Sequence, residues 1–341
     1  MATIYEVSKL AGVSLATVSR VMNNSGKVRD ATRRKVLDAM EQLDYQPNSF
    51  AQSLASNRSN CVGVLVSEMH GPIFGEMLTA IDTELHRSGK FALIAGGHND
   101  EEKEAEAIRF LSSRNCDALI LHVEALSNEF LLSMLDRLPP FVMINREIEG
   151  MADRCISLDN EHGGYLATHS LLEQGHTHIA YISGPQEWAD ASARLAGHNR
   201  ALTEFGLELD ERLVFEGDYL VPTGSRLAAA ILDLELPVTA IVCANDEMAV
   251  GAMEVLRSRK HAIPSDISLV GYDNVRWSSF LNPKLTTVNY PVADMSRMAV
   301  NWVLKQAYGE EGLPVRNVFE PELIRRESSG PAPVADRMAN L

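Results

Sequence analysis

Residues 11–24 read AGVSLATVSRVMNN, a run in which hydroxyl, amide and guanidinium side chains alternate with apolar ones at helical spacing. Thr17, Ser19 and Arg20 carry donors suited to phosphate oxygens and base edges, whereas Val18 and Val21 are spaced to face a core. Gly12 supplies a tight turn ahead of the run, and Ser14 stands where a helix N-cap belongs. A short helix, a glycine turn and a capped second helix make a helix-turn-helix. That geometry lays the second helix in the major groove with its first residues over base edges. Here those residues are Leu15 and Ala16, then Thr17, Ser19 and Arg20. The chemistry such a run supports is recognition of duplex DNA.

Three short helices are expected to hold these side chains in place. Thr3-Ile4-Tyr5-Glu6 opens the first as a capping box, Thr3 capping and Glu6 reaching back, and the helix buries Val7 and Leu10. Residues 23–26 break the second. The third runs from about Asp30 to Leu43 with Val36, Leu37, Met40 and Leu43 as its apolar stripe. Tyr45-Gln46-Pro47-Asn48 closes the unit. The following SFAQSLASNRSN is weakly helical, with Asn48 as its cap, and too short to hold a helix alone in water; it reads as a linker that orders only with help.

A second set of polar residues sits at the ends of apolar runs further along. From Cys61 the runs CVGVLVS, FALIAGG, DALILHV and FVMINR, then IAYISG, LVFEGD, AIVCAND and ISLVGYD, alternate with amphipathic helical patterns. Near-continuous apolar strands between helices mean parallel sheets covered on both faces, here two α/β lobes joined near residues 155–161. LTTVNYP and NVFEPELIRRES are expected to be strands that cross back between the lobes. Ligands of open α/β sheets bind beyond the carboxyl ends of the strands. There the chain offers Asn145 and Arg146, Arg194, Asp218 and Tyr219, Asn245 and Asp246, Asp273, and Phe74. Two of these have a plain structural alternative: Asp246 as a helix cap, Phe74 as core.

Catalytic signatures are missing: there is no GxSxG, P-loop or HExxH pattern, no metal-ligand cluster and no cofactor motif. An acidic pair in a cleft leaves glycoside hydrolysis as the rival enzyme reading. The four cysteines, Cys61, Cys116, Cys155 and Cys243, are widely spaced and read as buried reduced thiols. At 341 residues, 45% hydrophobic and 23% charged, the chain is expected to fold as more than one domain. No apolar run is long enough for a membrane helix and the start lacks a signal peptide's apolar centre, so a cytosolic protein with no membrane partner is expected. The net charge of −15 is unevenly spread. Residues 1–59 hold eight Lys/Arg against five Asp/Glu, a surplus of +3, which leaves −18 on the remainder. A basic head on an acidic body suits a DNA reader whose body phosphate repels.

VSKLAGVSLATVSRVMNNSGKV, YQPNSFAQSLA and nearly the whole remaining length resemble the LacI/GalR family of transcriptional repressors. The resemblance implies a helix-turn-helix head (1–46), a hinge helix (47–59) and a type I periplasmic-binding-protein-like effector domain of two lobes (60–330). The lobes would be 60–160 with 292–318, and 161–290 with 319–329, before a disordered tail at 331–341. Carried over by position, Leu15, Ala16 and Arg20 would touch bases. Thr3, Tyr5, Ser14, Thr17, Ser19, Asn23, Lys27, Tyr45 and Asn48 would lie at the phosphate backbone. Leu54, beside Ala51, sits where the family's minor-groove wedge belongs. Arg29 departs from the serine that caps helix three in many relatives.

The effector positions implied are Arg194, Asn245 and Asp273, with Tyr219 as a pocket aromatic. The strand-end residues supply carboxylates, amides and rings of the kind sugars need. NREIEGMADRCISLDN, LTTVNYPV and NVFEPELIRRES most resemble the galactose-operon branch, which implies a hexose such as galactose as inducer; another branch binds purines as corepressors. Trp188, in the loop PQEWAD, either caps the pocket or lies on the surface. The expected assembly is a homodimer on double-stranded operator DNA, joined through helices flanking residues 73–87 and the second lobe's apolar surfaces. GPAPVADRMANL lacks the leucine heptads of the family's tetramers.

Overall fold

The computed structural model describes residues 2–22, 26–45, 58–234 and 236–333. It divides into two compact units, Met1–Asn60 and Cys61–Leu341.

In the first unit, helices α1 (Ile4–Ala11), α2 (Leu15–Met22) and α3 (Asp30–Gln42) follow the capping signals. The Thr3 backbone N–H and hydroxyl both donate to the Glu6 carboxylate, at 2.7 and 3.0 Å, and the Glu6 N–H donates back to the Thr3 hydroxyl. Gly12, at φ +64°, ends α1 in the left-handed conformation that the turn requires. Ser14 receives the Thr17 N–H at 3.2 Å and so caps α2. Val7, Val18, Val21, Val36 and Ala39 form a small core. Leu10 and Leu37, expected inside, are both half exposed. The buried stripes are instead Ile4, Val7 and Ala11 on α1 and Val36, Ala39, Met40 and Leu43 on α3, and the two leucines fall just outside them. Arg29 occupies the N-cap of α3 without a capping hydrogen bond from its side chain to the described residues.

The second unit contains two sheets. The first lobe is built from β1 (Cys61–Val66), α4 (Pro72–Arg87), β2 (Phe91–Gly96), α5 (Glu101–Ser113), β3 (Ala118–Leu121), α6 (Asn128–Ser133), β4 (Phe141–Ile144) and β5 (Cys155–Leu158). The second begins with α7 (Asn160–Leu172), β6 (Ile179–Ser183), α8 (Ala189–Glu204), β7 (Val214–Glu216), α9 (Val221–Leu232), β8 (Ala240–Cys243), α10 (Asp246–Ser258), β9 (Ser268–Asp273) and β10 (Thr286–Asn289). Helix α11 (Val292–Tyr308) then packs on α4 and the first sheet. Strand β11 (Val318–Phe319) joins β5, and β12 (Glu322–Ile324) returns to β10.

Sheet orders are β11-β5-β4-β3-β1-β2 and β12-β10-β9-β8-β6-β7. Every pairing is parallel except that of β12 with β10. The chain therefore crosses between lobes after β5, after β10 and after β11. The stretch near residues 155–161, where the lobes were expected to join, holds the crossing and also the whole of β5; four residues, CISL, are too short a run to announce a strand. The disordered tail expected from residue 331 is also corrected as far as the described residues reach. Ala332 is buried and its N–H donates to the Gln174 carbonyl at 3.0 Å, while His176 Nε2 lies 2.9 Å from the Gly330 carbonyl.

Candidate functional site

The head presents its polar residues along the outer face of α2. Ala16 and Arg20, one helical turn apart, are exposed, and Leu15, Thr17 and Ser19 are half-buried beside them. Thr3, Tyr5, Ser14 and Lys27 are exposed as well, Tyr5 with 69% of its surface uncovered although it is aromatic. Tyr45 packs against the small core. The hydroxyls of Ser14 and Thr17 lie 2.9 Å apart, so the cap also orients a surface donor at the start of the helix. Asn23, Asn48, Ala51 and Leu54 lie outside the described residues.

The body holds a cavity of about 360 Å³ between its lobes, within the ~300–1,000 Å³ of small-molecule sites. Its wall is made of strand-end residues: Ser67 after β1, His122 and Glu124 after β3, Asn145 after β4, Pro185 after β6, Asp218 and Tyr219 after β7, Asn245 after β8, Asp273 at the end of β9 and Tyr290 after β10. Asn145, Tyr219 and Asp273 take positive φ values of 61°, 67° and 106°. Such backbone costs of order 1–3 kcal/mol per residue and collects at functional sites.

Arg194, on α8, is the hub. Its Nε donates to Asn160 Oδ1 at 2.9 Å and its Nη1 to the Ala244 carbonyl at 2.7 Å. Nη2 lies 3.2 Å from Asp190 Oδ2, Nη1 lies 4.0 Å from Asp273 Oδ1, and the guanidinium stacks 3.9 Å from the Tyr272 ring centroid. Asn160 passes the network on to Asn145, Nδ2 to Oδ1, at 3.1 Å. The backbones of α7 and α8 meet at glycine. A Cβ on Gly164 would stand 2.0 Å from the Arg194 carbonyl oxygen, and one on Gly197 would stand 1.9 Å from that of Glu161. This close approach sets the depth of Arg194.

Electrostatically the wall is acidic, and among the described residues lining it Arg194 is the only Lys or Arg. Burial, with the negative charge of Asp190, holds the Glu124 carboxyl well above the usual carboxylate range. Burial also raises Asp273, against the pull of Arg194. His122 is pushed down to about 4 by burial and is neutral at pH 7; its Nδ1 lies 3.0 Å from the Ser67 hydroxyl. The loop carrying Glu124 is clamped from behind. Both oxygens of the buried Glu104 carboxylate accept from the backbone N–H groups of residues 124–126, at 2.9–3.3 Å. Two buried polar atoms on the wall, Asp190 Oδ1 and the Tyr290 hydroxyl, have no hydrogen-bond partner among the described residues. Trp188 lines the cavity and stacks on Tyr219, centroids 5.7 Å apart, which places it in the pocket. Phe74 comes from the other lobe, edge-on to His122 at 5.3 Å.

Of the strand-end residues read from the sequence, Phe74, Asn145, Arg194, Asp218, Tyr219, Asn245 and Asp273 share this cavity. Arg146 and Asp246 do not line it. Arg146 reaches back to Asn128 Oδ1, at 2.7 and 3.1 Å, because the left-handed turn at Asn145 swings the next side chain behind the wall. Asp246 is fully buried inside the second lobe, accepting from the Val275 N–H, the Ser278 hydroxyl and the Thr287 hydroxyl. It is not the helix cap either. Asn245 caps α10 through the Met248 N–H, and its amide donates to the Tyr219 carbonyl at 2.9 Å. Sequence reasoning missed His122, Glu124, Asp190 and Tyr290. Signals for three of them existed: His122 closes the apolar run DALILHV but for one residue, Glu124 follows it directly, and Asp190 stands one helical turn before Arg194.

Residues 3–48 match the model of bacterial regulatory proteins of the lacI family, and residues 168–329 match a periplasmic binding protein-like domain. The chain is 41% identical over 328 residues to the HTH-type transcriptional regulator GalR of Escherichia coli (strain K12), covering 96% of each. It is 35% identical over 333 residues to the HTH-type transcriptional repressor PurR of Vibrio atlanticus (strain LGP32), covering 96% of this chain and 98% of that one. Among solved structures, the lac repressor dimer bound to operator and the anti-inducer ONPF superposes with a TM-score of 0.86 at 28% identity, covering 96% of this chain and 99% of the other. A complex of the transcriptional regulator CelR with cellobiose gives 0.70 at 32% identity, covering 96% and 100%. With the helix-turn-helix, the two-sheet body and this likeness over nearly the whole length, the chain belongs to the lacI family of DNA-binding transcriptional repressors.

Proposed function

We propose that this repressor controls a carbohydrate-utilisation operon, binding a pseudo-palindromic operator as a homodimer and leaving it when a hexose such as galactose fills the cavity. The observation that carries the reading is the character of the wall. Carboxylates and amides from both lobes face one volume, Asp190 Oδ1 and the Tyr290 hydroxyl are unpartnered among the described residues, and the Trp188–Tyr219 pair offers a ring face to C–H groups. Hydroxyls of a sugar satisfy such groups. Because Arg194, the only Lys or Arg among the described residues lining the cavity, is already bound on all three nitrogens, it is not free to meet an anionic ligand. The effector is accordingly an uncharged polyol.

On DNA, Leu15, Ala16 and Arg20 read bases in the major groove, and Leu54, beside Ala51, wedges the minor groove. Thr3, Tyr5, Ser14, Thr17, Ser19, Asn23, Lys27, Tyr45 and Asn48 hold phosphates. The dimer forms along α4 and apolar surface of the second lobe, where Phe280 is 76% exposed. Sugar draws the lobes together and shifts the first lobes of the two subunits, so that the paired hinge segments no longer meet. The protein works in the cytoplasm; no helix among the described residues is long and apolar enough to cross a membrane.

A fluorescence-anisotropy titration tests this on a pseudo-palindromic duplex with a central CG step, at fixed salt, with and without D-galactose. Specific binding that galactose weakens supports the reading. Binding indifferent to galactose and other hexoses contradicts the effector assignment, and binding strengthened by a purine makes the protein a corepressed one.

A further inference from the structure

Two of the four cysteines, 55 residues apart in sequence, meet at the beginning of the body. Cys61 is the first residue of β1 and Cys116 lies in the turn before β3, the strand paired with β1. The Asp117 N–H donates to the Cys61 carbonyl at 2.8 Å, which fixes the two segments side by side. The Cys116 thiol donates to the Cys61 sulfur across 4.0 Å. Neighbouring strands ~4.8 Å apart with a one-residue offset of ~3.3 Å place the two Cα atoms at ~6 Å, inside the range a disulfide spans. Cys155 and Cys243 are buried elsewhere, so the pairing is particular to these two.

We propose that Cys61 and Cys116 are a redox-modification site that closes to a disulfide under hydroperoxide and weakens the hold on DNA. Cys61 is the half-buried member, open to a small oxidant, and the thiol of Cys116 aimed at it favours its thiolate. The Cys61 thiolate attacks the peroxide, breaking the O–O bond and taking one oxygen as sulfenic acid, with hydroxide (or the alcohol of an organic peroxide) leaving. The Cys116 sulfur then attacks the Cys61 sulfur and loses its proton, the S–S bond forms, and the sulfenic oxygen leaves as water. Two thiols are oxidised by two electrons and one peroxide is reduced.

The location gives the consequence. The body begins at Cys61, and the chain from the head enters the body there. Bringing the sulfurs from 4.0 Å to the ~2.05 Å of a disulfide moves the residue from which the linker departs. In reducing cytosol the bond would be transient, as sensing disulfides are.

The test treats the full-length protein with hydrogen peroxide, maps cross-linked peptides by mass spectrometry, and measures affinity for the operator duplex before and after. A 61–116 disulfide is expected, with operator affinity down at least about fivefold, restored by dithiothreitol and unaffected by peroxide in Cys61→Ser and Cys116→Ser. Both thiols remaining alkylatable after peroxide overturns the pairing. A cross-link formed without any change in affinity overturns the regulatory role. A duplex that never binds would count against the operator reading instead, since the mass-spectrometric result stands without it.

Discussion

The head and the body bind in opposite ways. The head carries its chemistry outward: Ala16 and Arg20 stand exposed on a helix held by five small buried residues, in a segment with a positive surplus. The body carries its chemistry inward: Asn145, Asp190, Arg194, Asn245 and Asp273 are all buried, in a unit with a large negative charge. Where substitution removes an outward-facing group, water takes its place. Removing an inward-facing one leaves a buried partner unpaired, and that costs more. The contrast predicts that single substitutions in the cavity cost more affinity for their ligand than single substitutions on α2 cost for theirs.

The largest effect is therefore expected at Arg194. Arg194→Ala strands Asp190 and Asp273, and calorimetry should show galactose affinity falling by at least about 100-fold, the scale of a broken buried pair. Operator affinity without sugar should stay within about threefold. Simultaneous loss of both activities would mean the two regions are not separable. Arg20→Ala comes next, with a loss of about 10- to 100-fold in operator affinity by anisotropy and no change in galactose binding.

A third effect separates the regions by pH. His198, one helical turn beyond Arg194 on α8, is buried with Thr168 Oγ1 2.7 Å from its Nδ1, and burial pushes it down to about 3. Above pH 6.5 it is neutral in both states and its contribution to stability is complete. As pH falls from 6.5 towards 3, the unfolded chain binds a proton that the folded body refuses, so stability drops by ~1.4 kcal/mol per pH unit. His198→Gln should remove about 2 kcal/mol of the loss between pH 7 and 5, read by urea unfolding of the body's transition. An unchanged loss would show that His198 accepts its proton in place. The smallest effect is the cap. Thr3→Ala should lower the head's stability by about 1 kcal/mol, leaving the body's transition where it was.

The same contrast explains how much could be read from residues alone. The head's determinants are local: Thr3 acts on Glu6 and Ser14 on Thr17, each three residues on, and Gly12 acts by its own backbone, so cap, turn and exposed face were legible. Only Leu10 and Leu37 were misplaced, because a three-helix core has room for one narrow stripe per helix. In the body the strands were legible as apolar runs, and the strand-end rule led to seven residues of the cavity wall. What stayed hidden depends on distant elements. Whether Asn245 or Asp246 caps α10 is decided by Val275, Ser278 and Thr287, which claim the aspartate from outside the helix. Glu124 is aimed by Glu104, twenty residues before it, and Cys61 meets Cys116 only because β1 pairs with β3.

Coupling between the two regions is what would make the protein a switch. Linkage requires that operator weaken sugar binding by the factor by which sugar weakens operator binding, typically ~1–3 kcal/mol. The direct measurement is a galactose titration of the full-length protein, at one salt concentration, free and saturated with operator duplex. Coupling predicts a weaker galactose affinity on the operator, by the same ratio that galactose imposes on operator affinity. Equal galactose affinities in the two titrations would contradict it.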